Sequence, residues 1–209
     1  MAREAVLDRT RRALAAHAAR ALPIAGRRES AVLLLLYPHA GDDCVVFQVR
    51  TELVAHHRGE ISLPGGSRDP GDPSLVHTAL RETDEEIGVA PDAVEVLGRL
   101  DDTVTRASNY RITPFVGAVV ADAGAVATAR ATREVTELLY VPVEHLLAPD
   151  SRAWKVVDGD GVPVPTPAFR FEEHLIWGAT ARIVTQFVEL LGGAPFPAEA
   201  GGGAGAAWR

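Results

Sequence analysis

The fold of this chain is decided by one stretch, Arg81-Glu82-Thr83-Asp84-Glu85-Glu86-Ile87-Gly88-Val89. Its glutamates Glu82, Glu85 and Glu86 lie at positions i, i+3 and i+4, which share one face of a helix. Three neighbouring carboxylates repel one another unless a cation neutralises them, and hard divalent ions such as Mg²⁺ or Mn²⁺ prefer oxygen ligands. A solvated acidic helix face is the alternative explanation of the pattern.

The residues on either side of this stretch favour the bound cation. A Pro64-Gly65-Gly66 turn comes before the helix, and Gly88 ends it. Glycines carry no Cβ, so the backbone of the turn can come close to a metal ion or a phosphate. The turn and the helix are therefore predicted to form one site.

The turn and the helix together resemble the Nudix box, whose pattern is GX5EX7REUXEEXGU, where U is an apolar residue. The second half of the box matches at Arg81, Glu82, Glu85, Glu86, Gly88 and Val89. Thr83 stands where an apolar residue is usual. Pro73 and Ser67 occupy the usual Glu and Gly positions of the first half, while Asp72 and Gly66 each lie one residue further upstream. The loop thus carries one extra residue relative to the pattern.

This departure resembles the subgroup of Nudix enzymes that cleave coenzyme A, in which the box follows a run like LLTXRSX3RX3GX3FPGG. The corresponding residues here are Val45-Val46-Phe47-Gln48-Val49-Arg50-Thr51, then Gly59, then Leu63-Pro64-Gly65-Gly66. The second arginine of the run falls on Ala55. Two later stretches also look like this subgroup: residues 112–117 and 176–181.

The resemblance implies an α/β fold in which a mixed β-sheet is sandwiched between α-helices, with the box helix against the sheet. Strand-like apolar runs mixed with two long helices, one ending near Ile87 and one from Leu175 to Leu191, favour the same class. We expect a Nudix hydrolase domain over residues 29–192, after an N-terminal helix and connector over residues 1–28. Residues 193–209, rich in Gly, Ala and Pro, are predicted to form a flexible tail.

The resemblance also implies the roles of the box residues. The predicted metal ligands are Glu82, Glu85, Glu86 and the carbonyl of Gly66. Arg81 is counted with the catalytic residues because it is expected to pair with a neighbouring carboxylate and fix its rotamer, although a plain surface ion pair is the alternative. The general base is predicted to be Glu82 in the box or one of two distant glutamates, Glu134 and Glu137, which are equally consistent with surface charges.

Substrate contacts are predicted outside the box. Arg50 occupies the first arginine position of the subgroup run, and a guanidinium offers a planar fork of donors that suits a phosphate. His57 and Arg58, next to His56, can add the basic lining that the 3′-phosphate of coenzyme A needs. An exposed polar loop is the alternative for these residues.

The predicted function is a metal-dependent pyrophosphohydrolase that cleaves coenzyme A or its derivatives to phosphopantetheine and adenosine 3′,5′-bisphosphate. ADP-ribose, NADH or another nucleoside diphosphate linked to a further group is the alternative substrate. A Nudix domain that senses a nucleotide without turning it over is the alternative of a different class. Sensors of that kind usually lose box carboxylates, whereas all three remain here.

The composition of the chain limits the partners and the cellular location that we expect for this protein. The net charge of −7 argues against a nucleic-acid partner, which usually calls for a basic patch. The single cysteine, Cys44, excludes an internal disulfide and is predicted to be a buried structural thiol in a reducing compartment. The longest apolar run, Ala31 to Tyr37, is far below the ~20 residues of a membrane span. We expect a cytoplasmic enzyme with a small-molecule substrate and no membrane partner, and packing of the N-terminal helix on a second subunit, hence a homodimer, stays open.

Overall fold

The computed structural model describes residues 2–50, 61–105, 108–120, 135–159 and 162–196. Within these ranges the α-helices are α1 (Ala2–Ala16), α2 (Leu75–Ile87), α3 (Val143–Leu147) and α4 (Gly178–Leu190). The strands are β1 (Arg28–His39), β2 (Asp42–Arg50), β3 (Ile61–Ser62), β4 (Gly65–Ser67), β5 (Val94–Arg99), β6 (Thr103–Val104), β7 (Tyr110–Val119), β8 (Val135–Pro142), β9 (Arg152–Gly159), β10 (Val162–Phe171) and β11 (His174–Trp177). Two short 3-10 helices cover Pro91–Ala93 and Pro149–Ser151.

The strands of the described residues form a large mixed sheet and a small antiparallel one. The large sheet has the order β3-β2-β1-β7-β5, with β4 also paired to β1, β6 to β7 and β8 to β2. The long pair β1–β7 is parallel and the other pairs are antiparallel. The small sheet has the order β11-β10-β9. The predicted α/β class with a mixed sheet is confirmed.

Strand β1 carries the core on both of its faces, which is why its sequence is an unbroken apolar run. Leu33 and Leu35 pack on the α2 side with Ala79, while Leu34 and Leu36 pack on the opposite side, in the cluster that includes residues of α1 and α4. All four leucines are at most 3% exposed. Burial of each contributes roughly 1.5–3 kcal/mol, so β1 holds the two helical layers against one sheet.

Helix α2 has well-formed ends and an unusual buried face. Ser74 caps the start of the helix by accepting a hydrogen bond from the backbone of His77, and Gly88 ends the helix with a left-handed φ of 72°. Thr83, at the usually apolar box position, is fully buried because its hydroxyl donates to the carbonyl of Ala79 at 2.6 Å. The hydroxyl is thus satisfied inside the helix and needs no partner in the core.

The last part of the chain differs from the prediction at two places. The closing helix was expected from Leu175, but the residues up to Trp177 form β11, and the helix begins at Gly178. The cause is pairing with β10, which places Ile176 opposite Phe169 with both side chains fully buried. The Asp, Gly and Pro residues of the stretch 158–167 favour turns, but residues 158–159 and 162–167 extend the β9–β10 hairpin. Its prolines fit this position because β11 pairs only with residues 168–171 of β10, which leaves the remainder of that strand as an edge.

Helix α1 packs on the domain of its own chain. Val6 and Leu14 are 8% and 6% exposed and belong to the large core cluster. The guanidinium of Arg9 donates to the carbonyl of Leu191 just past α4. The connector that follows α1 is held by two aspartates, whose carboxylates accept backbone hydrogen bonds from Arg20 and Leu22.

The start of the predicted tail also contacts the domain. The ring of Phe196 lies 5.3 Å from that of Phe169 and 5.5 Å from that of Trp154, both in edge-on geometry. The division into segments 1–28, 29–192 and 193–209 stays a prediction. None of the helices in the described ranges is long and apolar enough to cross a membrane.

Candidate active site

The site is built where the glycine turn meets helix α2. Strand β4 pairs with β1, and this pairing brings Gly66 against the carboxylate of Glu82. A Cβ added at Gly66 would lie 2.5 Å from the carboxyl carbon of Glu82, closer than real Cβ contacts. Glycine at this position therefore leaves room for the carboxylate beside the backbone of the turn.

Arg81 joins the loop before α2 to the carboxylates on it. Its Nε and Nη2 each donate to one oxygen of Asp72 at 3.1 Å, a two-pronged pair. Its Nη2 lies 3.0 Å from Glu82 Oε1, and its Nη1 donates to Glu85 Oε2 at 3.1 Å. The hydrogen bond with Asp72 is the main cause that raises the pKa of Arg81 above its ordinary value. The guanidinium thus stays charged and holds two box carboxylates at once.

Asp72 anchors Arg81, a role that the sequence analysis did not assign to it. Its side chain is 3% exposed and also accepts hydrogen bonds from Thr78 Oγ1 at 2.8 Å and from the backbone of Asp69 at 3.0 Å. The hydrogen bond from Arg81, more than any other contact, holds the pKa of Asp72 well below its usual range. The signal that points to this role is the acidic residue one position before the usual Glu of the box.

Glu86 is held by two donors, one of which the sequence analysis missed. Its Oε2 accepts from the backbone N–H of Gly65 at 2.8 Å and from Gln48 Nε2 at 2.9 Å. Burial raises the pKa of Glu86 to about 7, while these two donors and the charge of Arg50 act in the opposite direction. Gln48 is fully buried, and its Oε1 has no hydrogen-bond partner among the described residues. The available signal was an amide in the middle of the apolar strand β2.

Comparison with known proteins gives the family. The NUDIX domain model matches residues 27–158, which include the turn, helix α2 and the strands around them. This chain belongs to the Nudix family. An uncharacterized Nudix hydrolase, NudL, of Yersinia enterocolitica is 31% identical over 173 residues, which cover 83% of this chain and 80% of that protein. The NudL of Photorhabdus laumondii is 31% identical over 140 residues, 67% of this chain and 73% of that protein. Among solved structures, a NUDIX hydrolase from Alicyclobacillus acidocaldarius shares 21% identity with a TM-score of 0.46, over 58% of this chain and 81% of that one.

Membership gives the class of reaction. The chain is a Nudix hydrolase, a pyrophosphatase that acts on acid anhydrides in phosphorus-containing compounds. Nudix hydrolases generally need divalent metal ions. The family match includes the glycine turn and the box helix described above.

The donor set of the Nudix box fits a divalent cation, although its side chains point to other partners here. Within the part of the chain that the structure describes, no three His, Cys, Asp or Glu side chains stand together as a metal cluster. Glu85, 58% exposed, is turned toward Arg81, and Glu86 toward Gln48. Burial raises the pKa of both Glu82 and Glu86 although Arg81 and Arg50 act in the opposite direction, so a further cation would stabilise their charged forms. Hard oxygen donors in that condition suit Mg²⁺ or Mn²⁺.

Of the other predicted site residues, one lies near the box carboxylates, one lies on the opposite face of the sheet, and the rest lie outside the described residues. Arg50 ends β2 and lies close enough to Glu86 for its charge to lower the pKa of that carboxyl. Glu137 is exposed on β8, opposite Val49 and therefore on the other face of the sheet from Gln48. Glu134, His57 and Arg58, with Ala55 and His56, lie outside the described residues. Their roles, and that of Glu137 as a base, stay predictions.

Proposed function

We propose that this Nudix hydrolase cleaves the diphosphate of coenzyme A or its derivatives, releasing phosphopantetheine and adenosine 3′,5′-bisphosphate. The supporting observation is that two residues of the coenzyme A-like run, Arg50 and Gly65, both act on Glu86. Arg50 near its start acts on the pKa of Glu86, and Gly65 at its end donates a hydrogen bond to the same carboxylate. Residues of the run that leads into the box thus shape the environment of a box glutamate.

In this proposal Glu82, Glu85, Glu86 and the carbonyl of Gly66 hold Mg²⁺ or Mn²⁺. The bound ion would neutralise charge on the diphosphate oxygens and activate the attacking water. Gly65 and Gln48 keep Glu86 in place, while Glu85 has to leave Arg81 to become a ligand.

Glu82 is the proposed general base among the described residues. Its side chain is 18% exposed and lies against Gly66. Burial raises its pKa, which moves the carboxylate toward the range in which a base works best near neutral pH. Arg81 holds Glu82 Oε1 at 3.0 Å and so limits the orientations that the base can adopt.

A nucleoside diphosphate that lacks the 3′-phosphate, such as ADP-ribose or NADH, is the second candidate substrate. It is favoured by Ala55, which stands at an arginine position of the coenzyme A subgroup and removes one cation from the run. The sensor alternative is disfavoured because Arg81 and all three box glutamates are retained with their contacts. We also propose a cytoplasmic location, which suits a chain whose single cysteine is buried and unpaired.

The proposal is tested with purified enzyme supplied with Mg²⁺ or Mn²⁺ and a panel of coenzyme A, ADP-ribose, NADH, diadenosine polyphosphates and nucleoside triphosphates. Mass analysis should find adenosine 3′,5′-bisphosphate and phosphopantetheine, and chelation should abolish both. In ¹⁸O-water a phosphate of one product should carry the label. ADP-ribose turnover without coenzyme A turnover would overturn the substrate choice, and no turnover of any compound would support the sensor.

A further inference from the structure

A pocket of about 470 Å³ lies next to the active site, between the segment that enters β1 and the loop that follows β4. A volume of this order suits a small organic ligand. The side chains that matter for its chemistry are Arg27, Arg28 and Glu29 from the first segment and Ser67, Arg68 and Asp69 from the second. None of the three arginines is used by the box chemistry described above.

The pocket is joined to the active site through one guanidinium. The carbonyl of Ser67 accepts from Arg81 Nη2 at 3.3 Å, and Asp69 Oδ2 lies 3.7 Å from the same nitrogen. That nitrogen is 3.0 Å from Glu82 Oε1. Arg81 therefore contacts a box carboxylate and two residues of the pocket lining, which places the pocket beside the box.

The arginines of the pocket are incompletely neutralised. Arg68 pairs with Glu29 at 3.3 Å, but Glu29 is also held by Arg111, so one carboxylate serves two cations. The guanidinium of Arg28 lies 4.5 Å from the centre of the Tyr110 ring, a contact that fixes its plane without cancelling its charge.

Arg27 adds a further uncompensated charge. Neither it nor Arg28 forms an ion pair with a carboxylate among the described residues. Arg27 and Arg28 create a positive region beside the site. This region attracts anions locally, although the protein as a whole has a net charge of −7.

We propose that this pocket binds a phosphate monoester of the substrate, remote from the diphosphate that is cleaved; the assignment rests on the proposed function. A monoester dianion accepts hydrogen bonds from planar guanidinium groups, and Arg28 is already oriented by Tyr110. The 3′-phosphate of coenzyme A has this chemistry, and only the ribose separates it from the diphosphate. This pocket is therefore an alternative to the lining by His57 and Arg58 that the sequence predicts for the same group. ADP-ribose and dephospho-coenzyme A lack the group.

The test compares the wild type with the double variant Arg27→Gln, Arg28→Gln. The matched control is Arg12→Gln, which removes one exposed arginine of α1 outside the pocket. Calorimetry at one fixed Mg²⁺ concentration gives the affinity for adenosine 3′,5′-bisphosphate and for adenosine 5′-monophosphate. Wild type and control should prefer the bisphosphate by about 10-fold or more, and the double variant should lose most of that preference. Thermal unfolding checks that all three proteins are folded.

Kinetics then separates the pocket from the proposed function. The double variant should raise KM for coenzyme A about 10-fold while changing KM for dephospho-coenzyme A less than about 2-fold. Equal changes for both, or an undiminished preference for the bisphosphate, would overturn the pocket assignment and leave coenzyme A cleavage intact. An enzyme that does not cleave coenzyme A, yet binds the bisphosphate through these arginines, would overturn the proposed substrate and retain the pocket.

Discussion

Replacing Gln48 with leucine should separate the stability of the fold from the function of the site. The side chain is fully buried, and it makes one hydrogen bond to the carboxylate of Glu86 at 2.9 Å and a longer one to Ser62 Oγ at 3.3 Å. Its Oε1 has no partner among the described residues. The Nε2 group of the amide thus stabilises the fold through its hydrogen bond to Glu86, whereas burial of Oε1 without a partner destabilises it.

These two terms nearly cancel in the free energy of unfolding. A hydrogen bond to a charged group contributes roughly 1.5–3 kcal/mol, and a buried acceptor without a partner costs about 1–3 kcal/mol. Leucine removes both and fills the same apolar surroundings, so the stability of Gln48→Leu should stay within ~1 kcal/mol of wild type. Glu86 keeps only the backbone donor of Gly65, and its pKa should rise because one of the groups that lowers it is gone. Loss of a group that orients a metal ligand typically lowers metal affinity or activity by about 10–100-fold.

Urea unfolding measures the first quantity, and Mn²⁺ titration by calorimetry together with kcat measures the second. Ser62→Ala is the control because Ser62 accepts a hydrogen bond from Gln48 and, among the described residues, forms none with Glu86. The control should keep metal affinity within about 2-fold. Wild-type Mn²⁺ affinity and kcat in Gln48→Leu, accompanied by a large loss of stability, would show that Gln48 serves the core and does not position Glu86.

Three further predictions concern the groups around this site and the core. Gly66→Ala should lower kcat by about 100-fold, because the new Cβ meets the end of the Glu82 side chain, which can move aside; a normal Tm beside low activity supports this, and normal activity contradicts it. Asp72→Asn should lower Tm at pH 7 by about 2–4 °C for each kcal/mol of stability lost, the scale for a chain of this length. Because Arg81 lowers the pKa of Asp72, the wild type has that stabilisation above the ordinary carboxyl value of 3.8 and loses it as the pH falls below, so the gap between the two proteins should narrow in acid. A gap that is constant with pH would contradict the ionic account. The buried thiol of Cys44, whose pKa burial raises to about 11, should react with a disulfide reagent at pH 8 about 100-fold more slowly in the folded than in the unfolded protein. The thiol's share of stability is present below its ordinary pKa of 9.0 and is lost as the pH rises toward 11, so Cys44→Ala should flatten the alkaline limb of the stability curve.

Elements with a strong local pattern could be predicted from the sequence. Helix α2 was expected to end near Ile87, where Gly88 supplies the left-handed cap, and the unbroken apolar run of β1 indicated a strand buried on both faces. Strand β4 has no such pattern, since its Gly-Gly-Ser sequence has low strand propensity and it exists because β1 pairs with it. The error at Leu175 has a similar cause, because an apolar triplet before a helix fits either state until its pairing partner is known.

The candidate site also has features that follow from a local sequence pattern and features that depend on distant contacts. The spacing of Glu82, Glu85 and Glu86 depends only on helix geometry and could be predicted. The partners of these carboxylates depend on the register between α2 and β2 and on the path of a loop. Gln48 meets Glu86 across 38 positions of sequence and Asp72 meets Arg81 across nine, and neither distance follows from a local pattern.

The bond from Arg9 to the carbonyl of Leu191 has a consequence for synthesis of the protein on the ribosome. Helix α1 is synthesised before α4, but one of the groups that α1 docks against, the carbonyl of Leu191, lies just past α4. Until α4 has been synthesised, the apolar side chains of α1, which include Val6 and Leu14, lack part of the core cluster in which they are buried. A chaperone that shields short apolar helices should therefore associate with nascent chains until α4 has left the exit tunnel, and ribosome-bound fragments that stop before residue 178 should be held longest.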